Sequence, residues 1–284
     1  MKKKAVVFIA GQSNAHAHGQ KLPEDQWITQ PLANVFSLDR DPNQSFEIRQ
    51  LRWSGFTTAG KNLGETQDHT CSLAYYLALR WQDAIDRGEE LPDLYIVQIS
   101  IGSQGILNGM WNRDKAPVLV PGPLGKADIA LFPLAQHIFR LVMADLADPL
   151  VLGWHWLGSE QEIWHEAWKA PDLDARYDHH FDTLLGCIGV PCPVYLYETY
   201  LSLCCARFDL PVEAADGVNA ALYRQADRLG AILVKASSSP YWNADAPGFG
   251  IFAPDNAHYT AQVQQWFAQE FFADALRRVS QWRS

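Results

Sequence analysis

The 284-residue sequence is short of positive charge and has no long apolar run. It carries 23 Lys and Arg residues against 32 Asp and Glu, a formal net charge of -9, and its longest basic run is Lys2–Lys4. Binding of nucleic acid needs clustered Lys and Arg, so we expect no nucleic-acid partner. No apolar stretch approaches the ~18 residues that a membrane helix needs, so we expect no membrane partner either.

The sequence also lacks a recognisable cysteine framework. Five cysteines are an odd number, and Cys204 and Cys205 are adjacent, which suits disulfide pairing poorly. The spacing of Cys187 and Cys192 is wrong for an ordinary four-cysteine zinc site, so we interpret the cysteines as buried free thiols. The opening MKKKAVVFIA has only six apolar residues before Gly11, which favours a strand over a signal peptide. The sequence therefore predicts a cytoplasmic protein.

Strand and helix patterns alternate along the whole chain. Strands are predicted at 5–10, 93–101, 150–157, 193–201 and 231–237, and helices at 72–85, 128–147, 173–189, 214–230 and 257–279. This alternation is typical of an α/β fold in which helices cover both faces of a parallel sheet of about five strands. We expect a single domain over residues 1–284, with long active-site loops at about 20–69 and 238–256, where no clear pattern is present.

The first predicted strand ends in the sequence GQSN, with Ser13 at its tip. Ligands of open parallel sheets bind beyond the carboxyl ends of the strands. A helix beginning soon after Ser13 would aim backbone N–H groups at the same place. Ser13 suits either a nucleophile or a helix N-cap at this position.

A second motif near the other end of the chain favours the nucleophile. Asp255 lies three residues before His258, so one turn can bring the two side chains together. A serine hydroxyl needs a base, which His can supply near neutral pH, and a carboxylate fixes the histidine tautomer. Ser13, His258 and Asp255 are therefore predicted to form a catalytic triad. Such chemistry needs no metal, so no metal or other cofactor is expected.

These motifs resemble those of a known superfamily. GQSN after the first strand and DNAH (255–258) before the last helix are similar to the SGNH hydrolases, and more narrowly to the carbohydrate esterases that include sialate O-acetylesterase and acetylxylan esterases. The segment SLAYYLALRW (72–81) also resembles a helix of that family. The resemblance implies a three-layer α/β/α, flavodoxin-like sandwich. It also implies a serine esterase that removes O-acetyl or other short acyl groups from a carbohydrate.

The same resemblance implies an oxyanion hole with three donors. One donor is the backbone N–H of Ser13. The second is the N–H of a glycine after the next strand, and the segment SIGSQGILNG offers Gly102 or Gly105. Gly102 is favoured because it lies at the end of the predicted strand, although both glycines are also ordinary turn residues.

The third family donor is a Gln side chain in the pattern W-x-Q-G-E. This chain reads GWHWLGSEQE, which places Leu157 where the Gln belongs, and a leucine cannot donate a hydrogen bond. Loss of one such donor typically costs about 100- to 1000-fold in turnover. The candidates for a replacement donor are Gln104, His155 and Gln161.

Several further residues are predicted to contact the substrate: Gln12, Asn14, Trp111, Trp156 and Glu160. Trp242 and Phe249 are also candidates for aromatic walls. His16 and His18 would share a face of an extended segment, as substrate contacts or as solvated loop residues, because no third metal ligand is evident. Glu160 and Glu162 form a carboxylate pair, but nothing else in the sequence supports glycoside hydrolysis.

Two other functions remain open on the sequence. One is a small-ester or thioester hydrolase that uses the same triad. The other is a non-catalytic carbohydrate-binding protein on an esterase scaffold, which the leucine at position 157 motivates.

Overall fold

The described part of the chain is built around a seven-stranded sheet. The computed structural model describes residues 3–38, 51–58, 69–114, 118–122, 125–163, 168–198, 205–206, 209–255 and 257–283. In chain order the strands are β1 (Lys4–Gly11), β2 (Val35–Leu38), β3 (Trp53–Gly55), β4 (Asp93–Ser100), β5 (Val118–Gly122), β6 (Gly125–Ile129), β7 (Leu150–Leu157), β8 (Val194–Glu198) and β9 (Ile232–Lys235). The sheet has the order β3-β2-β4-β1-β7-β8-β9, while β5 and β6 form a separate antiparallel ribbon. Neighbouring strands of the large sheet are parallel, except that β2 and β3 are antiparallel.

Helices cover both faces of this sheet. They are α1 (Leu73–Asp86), α2 (Leu131–Leu146), α3 (Leu173–Ile188), α4 (Val212–Leu229) and α5 (Ala261–Arg283). Helices α1 and α5 bury their apolar sides in one core cluster, and α2, α3 and α4 bury theirs in a second cluster on the opposite face. Strand β1 lies between the two clusters, which explains why its sequence AVVFIA is apolar on both faces. The α/β/α fold class predicted from the sequence is confirmed.

The segment 20–69, predicted from the sequence as a long loop, also contains strands. Its described residues contain β2 and β3, so the sheet has seven strands rather than about five. These strands are four and three residues long, too short to produce a recognisable alternation of apolar and polar residues. In segment 238–256 the described residues include the short 3-10 helix Pro247–Gly250.

The described cysteines carry free thiols. Cys71, Cys187 and Cys205 are buried and Cys192 is partly buried, whereas Cys204 lies outside the described residues. Within the described ranges, no group of three or more His, Cys, Asp or Glu side chains could hold a metal ion. None of the helices described here is long and apolar enough to cross a membrane.

The sheet order brings three strand ends together. Strand β1 pairs with β4 on one side and with β7 on the other, and Gly11 is opposite both Ser100 and Leu157. Because the three strands are parallel, the segments that follow them leave the same edge of the sheet. The serine turn, the glycine loop and the segment after β7 therefore lie side by side.

Candidate active site

Gly11 closes strand β1 against the end of β7. Its backbone has a φ of 147°, which side chains rarely tolerate, and a methyl group there would overlap the carbonyl oxygen of Leu157. That same carbonyl accepts a hydrogen bond of 2.9 Å from the N–H of Gln12. Glycine at position 11 thus allows the two strand ends to approach closely, and Ser13 follows two residues later.

The residues after Ser13 form a series of turns and not a helix. The Asn14 carbonyl accepts a 2.8 Å hydrogen bond from the Gln264 side chain, and the Ala15 carbonyl accepts one of 2.5 Å from the Gln98 side chain. Gln98 lies on β4 and Gln264 on α5, and both are buried. These side chains take carbonyl groups that a helix would use, and they fix the serine turn to two elements of the fold.

The predicted contact between Asp255 and His258 is present. Asp255 Oδ2 lies 2.5 Å from His258 Nδ1, and its Oδ1 accepts hydrogen bonds from the N–H groups of Ala257 (3.0 Å) and His258 (3.1 Å). Burial acts to raise the pKa of Asp255, but these hydrogen bonds outweigh it and hold the pKa below its usual range. An ionised carboxylate can only accept, so Nδ1 of His258 carries the proton and Nε2 is the ring nitrogen left to accept one.

Asn14 joins the serine turn to the histidine loop. Its Nδ2 donates to Glu160 Oε1 (2.6 Å) and to the carbonyl of Ala257 (3.0 Å), and its Oδ1 accepts from the N–H of Tyr259 (3.0 Å). The two residues that flank His258 are therefore both bound to the residue that follows Ser13. Asn14 is buried and both of its amide protons are engaged within the protein, so it does not contact a substrate in this structure.

Ser13 lies partly exposed at this junction. Within the described part of the chain, no hydrogen bond joins its hydroxyl to His258. Catalytic hydrogen bonds are often long in the absence of a ligand and tighten when substrate binds. His18, which is exposed, lies beside His258 with the ring centroids 5.4 Å apart, and the ring of buried His16 lies 5.6 Å from that of His18.

The structure separates the two candidate oxyanion glycines. A methyl group at Gly102 would lie 3.5 Å from Ser13 Cβ, whereas one at Gly105 would overlap Glu162 Oε1. Among the described residues, the backbone N–H groups of Ser13 and Gly102 have no hydrogen-bond partner. Gly102 is therefore the glycine that adjoins the serine, and both N–H groups are available to a ligand.

Leu157 and His155 do not present a donor at this place. The Leu157 side chain is buried in the core cluster that α1 and α5 cover. His155 Nδ1 lies 2.9 Å from the hydroxyl of Tyr197, and its ring stacks on Tyr195 in the same interior layer. Burial lowers the pKa of His155 to about 3, so it is neutral and remains part of the core.

Of the two glutamines proposed as replacement donors, Gln104 lies in the loop that carries Gly102, and Gln161 lies on the 3-10 helix that packs against this loop. Gln104 Nε2 donates to the Gly102 carbonyl (3.3 Å), and its Oε1 accepts from the N–H of Met110 (2.9 Å). The Cβ and Cγ atoms of Gln161 pack against Gly105. Gln104 thus braces the loop that carries Gly102.

Two carboxyl groups lie behind the site on the 3-10 helix Glu160–Glu162. Burial raises the pKa of both, to about 7 for Glu162, although the N–H groups of Ile106 and Leu107 act in the opposite direction on Glu162. Ser159, just before them, has a φ of 127°, a strained value for a residue with a side chain.

Comparison with known proteins gives likeness of fold and no match in sequence. No protein-family model matches the chain, and no curated protein matches it significantly. Among solved structures, NanS superposes with a TM-score of 0.63 at 14% identity, over 99% of this chain and 98% of NanS. A protein from Arabidopsis thaliana gives a TM-score of 0.56 at 14% identity over 99% of both chains. The carbohydrate acetylesterase Est24 from Sinorhizobium meliloti gives 0.46 at 10% identity, over 97% of this chain and 99% of Est24.

The chain shares the fold of NanS. The likeness to NanS covers the whole length of both proteins, as the resemblance of the terminal motifs led us to expect. At such identities it shows the fold and not the activity.

Three of the other residues predicted to contact a substrate are buried. Trp111 and Trp156 are fully buried and pack edge to face with ring centroids 5.3 Å apart, so neither presents a ring to a ligand. Trp111 instead donates from Nε1 to the Gly11 carbonyl (3.0 Å) and supports the end of β1. Gln12 is also buried and lies against Gly158. A high count of tryptophan in the sequence does not tell a supporting ring from an exposed one.

The sequence analysis missed the residues that hold the site together. Gln98 and Gln264 bind the serine turn, and Glu162 binds the glycine loop. A polar residue within an apolar pattern was the available signal for Gln98 in DLYIVQISI. No local pattern marks Glu162, whose partners lie 55 and 56 residues away in the chain.

Proposed function

We propose that the chain is a serine esterase that acts through Ser13 on short acyl esters, with an O-acetyl group on a carbohydrate as the substrate class. The observation that carries this proposal is the Asp255–His258 pair, fixed beside the serine turn by the three hydrogen bonds of Asn14. A nucleophile, a base and an orienting carboxylate thereby converge from opposite ends of the chain.

The reaction follows from these positions. Ser13 Oγ attacks the ester carbonyl carbon while His258 Nε2 takes its proton, and Asp255 stabilises the resulting imidazolium through Nδ1. The tetrahedral intermediate collapses, the proton passes to the leaving alcohol, and an acyl-enzyme remains on Ser13. A water molecule, deprotonated by His258, then attacks the acyl group, and the carboxylic acid leaves as Ser13 regains its proton.

The oxyanion hole in this proposal has two backbone donors, the N–H groups of Ser13 and Gly102. Leu157 is buried in the core, His155 faces Tyr197, and the Gln104 amide binds the Gly102 carbonyl and the N–H of Met110, which supports a hole that relies on backbone donors. Because a side-chain donor is typically worth about 100- to 1000-fold in turnover, we expect slow turnover on simple esters.

The carbohydrate part of the proposal rests on the resemblance of GQSN and DNAH to carbohydrate esterases. The formal net charge of -9 favours a neutral sugar over an anionic one, since a protein of this charge repels anions at long range. Trp111 and Trp156 are buried, which leaves the partly exposed Trp242 and Phe249 as the aromatic candidates for contact with a sugar ring.

A panel of esters tests the proposal. Acetylated neutral and anionic sugars, p-nitrophenyl esters of increasing acyl length and an acetyl thioester are compared with the parent protein and with Ser13→Ala. We expect hydrolysis of acetyl esters that Ser13→Ala abolishes. Turnover of Ser13→Ala within a few-fold of the parent would contradict the proposal, and a preference for thioesters would replace the carbohydrate ester as the substrate class.

A further inference from the structure

The 3-10 helix after β7 carries two carboxyl groups that accept hydrogen bonds from two different parts of the candidate site. Glu160 and Glu162 stand at the two ends of the 3-10 helix that follows β7. Glu160 reaches the serine turn and Glu162 reaches the glycine loop. We propose that these two carboxyl groups act as a clamp, in which Glu160 positions the serine turn and Glu162 positions the loop that carries Gly102. This inference rests on the proposed esterase function of the same site.

The Glu160 half of the clamp acts through Asn14. Glu160 Oε1 accepts from Asn14 Nδ2 at 2.6 Å, and the same nitrogen donates to the Ala257 carbonyl. The position of the Asn14 amide is therefore set from two sides, by the segment after β7 and by the histidine loop. Any shift of Glu160 moves the residue that joins Ser13 to His258.

The Glu162 half acts on the backbone of the glycine loop. Its Oε1 accepts from the N–H groups of Ile106 (2.5 Å) and Leu107 (3.3 Å). The same oxygen occupies the space that a side chain at Gly105 would need. The carboxyl group thus leaves no room for a side chain at Gly105, and it holds the loop four and five residues beyond Gly102.

The two carboxyl groups are expected to lower the stability of the fold, because each has a buried oxygen without a partner in the described part of the chain. Glu160 Oε2 and Glu162 Oε2 are buried, and neither has a hydrogen-bond partner among the described residues. An unpaired buried oxygen destabilises a fold, and an apolar residue of similar size would fill the space without that cost. The oxygens that do have partners all face the two halves of the site, which is the arrangement a positioning role requires.

A positioning role has a specific kinetic signature. An oxyanion hole acts mainly in the transition state, so displacement of the Gly102 loop lowers kcat and leaves KM nearly unchanged. Small displacements suffice, because such donors act only within a narrow range of distance and angle.

The experiment uses Glu162→Ala, Glu162→Gln and Gly105→Ala with p-nitrophenyl acetate. Glu162→Ala leaves two loop N–H groups unpaired, and we expect kcat to fall about 10- to 100-fold with KM within about twofold. Glu162→Gln keeps an acceptor oxygen and should retain most of kcat. Gly105→Ala should lower kcat because its methyl group displaces the Glu162 carboxyl group. In the Glu162→Ala background the overlap with the carboxyl group is gone and only the close contacts with Gln161 remain, so the same substitution should cost clearly less.

Hydrogen exchange of the peptide that contains Ile106 and Leu107 provides a readout that needs no activity. We expect faster exchange in Glu162→Ala and parent-like exchange in Glu162→Gln. Asp274→Ala is the matched control, because it removes another partly buried carboxylate that binds Tyr195, Arg277 and Arg278 on helix α5. It should lower stability without changing kcat or exchange in this loop.

Two results would overturn the clamp: unchanged loop exchange in Glu162→Ala, or an equal effect of Gly105→Ala in both backgrounds. Failure of the esterase proposal is a separate result, since the parent protein would then hydrolyse no ester of the panel. The exchange measurement decides the clamp in that case as well.

Discussion

Replacement of Glu162 by Gln should change how the stability of the protein depends on pH. Burial raises the pKa of Glu162 from 4.5 to about 7, while the N–H groups of Ile106 and Leu107 act to lower it. The folded state therefore binds more protons than the unfolded state between these two values. The free energy of unfolding must fall as pH rises through this window, and the stabilising effect of the proton is complete only below it.

The size of this effect follows from the shift. A rise from 4.5 to about 7 corresponds to about 3 kcal/mol, most of which should be lost between pH 5 and pH 8. Glu162→Gln cannot titrate, so its free energy of unfolding should lack this contribution. The amide also adds a constant offset, because its N–H groups replace an unpartnered oxygen. The prediction therefore concerns how the difference in unfolding free energy between variant and parent changes with pH, and not its value at any one pH.

Urea unfolding of the parent and of Glu162→Gln at pH 5, 6, 7 and 8 provides the measurement. The free energy of unfolding of the variant relative to that of the parent should rise by about 2–3 kcal/mol from pH 5 to pH 8. Other titrating groups contribute to both proteins and largely cancel in the difference. A difference that stays constant within about 0.5 kcal/mol would refute the assignment of a raised pKa to Glu162.

Three further predictions concern the strand end, the triad and metals. Gly11→Ala should destabilise the fold by about 2–4 kcal/mol in urea unfolding, because it combines a strained φ with overlap on Leu157. The control Gly186→Ala, in open space on helix α3, should stabilise the fold by about 0.5–1 kcal/mol. Equal effects of the two substitutions would contradict the close approach of β1 and β7. Asp255→Asn should lower kcat about 100- to 10,000-fold, because it loses the ionised partner of His258 Nδ1, and unchanged kcat would mean that another carboxylate orients this histidine. Dialysis against a chelator should leave ester hydrolysis unchanged, and a loss restored by zinc or calcium would contradict serine chemistry without a metal.

The sequence pattern predicted correctly those features of the fold that depend on residues close together in the chain. The apolar run of β1 predicts a central strand, and the three-residue spacing of Asp255 and His258 predicts their contact, because both features depend on neighbouring residues. Local sequence left open whether a helix begins after Ser13. The turns found there are held by Gln98, 83 residues from Ala15 in the chain, and by Gln264, 250 residues from Asn14. Propensity cannot represent such distant side chains.

Distant contacts also decide which side chains are buried and which of them bind other residues of the site, and the sequence pattern did not predict either. Trp111 and Trp156 were interpreted as substrate contacts, but the pairing of β1 with β7 and the packing of the loop after β4 enclose them. Glu160 was predicted as a substrate contact, yet its Oε1 binds Asn14 instead. The sequence favoured Gly102 over Gly105 because Gly102 lies at the end of a predicted strand, but only the structure shows that Gly102 adjoins Ser13.

The central claim is that Ser13 is the nucleophile, and covalent labelling tests it most directly. The parent protein is treated with a fluorophosphonate, digested and analysed by mass spectrometry, with Ser13→Ala and His258→Ala treated in parallel. We predict one adduct on the peptide that contains Ser13, loss of ester hydrolysis in proportion to labelling, no adduct in Ser13→Ala and slow labelling in His258→Ala. An unlabelled Ser13 in a protein that hydrolyses esters, or an adduct on a different residue that accounts for inactivation, would contradict the claim.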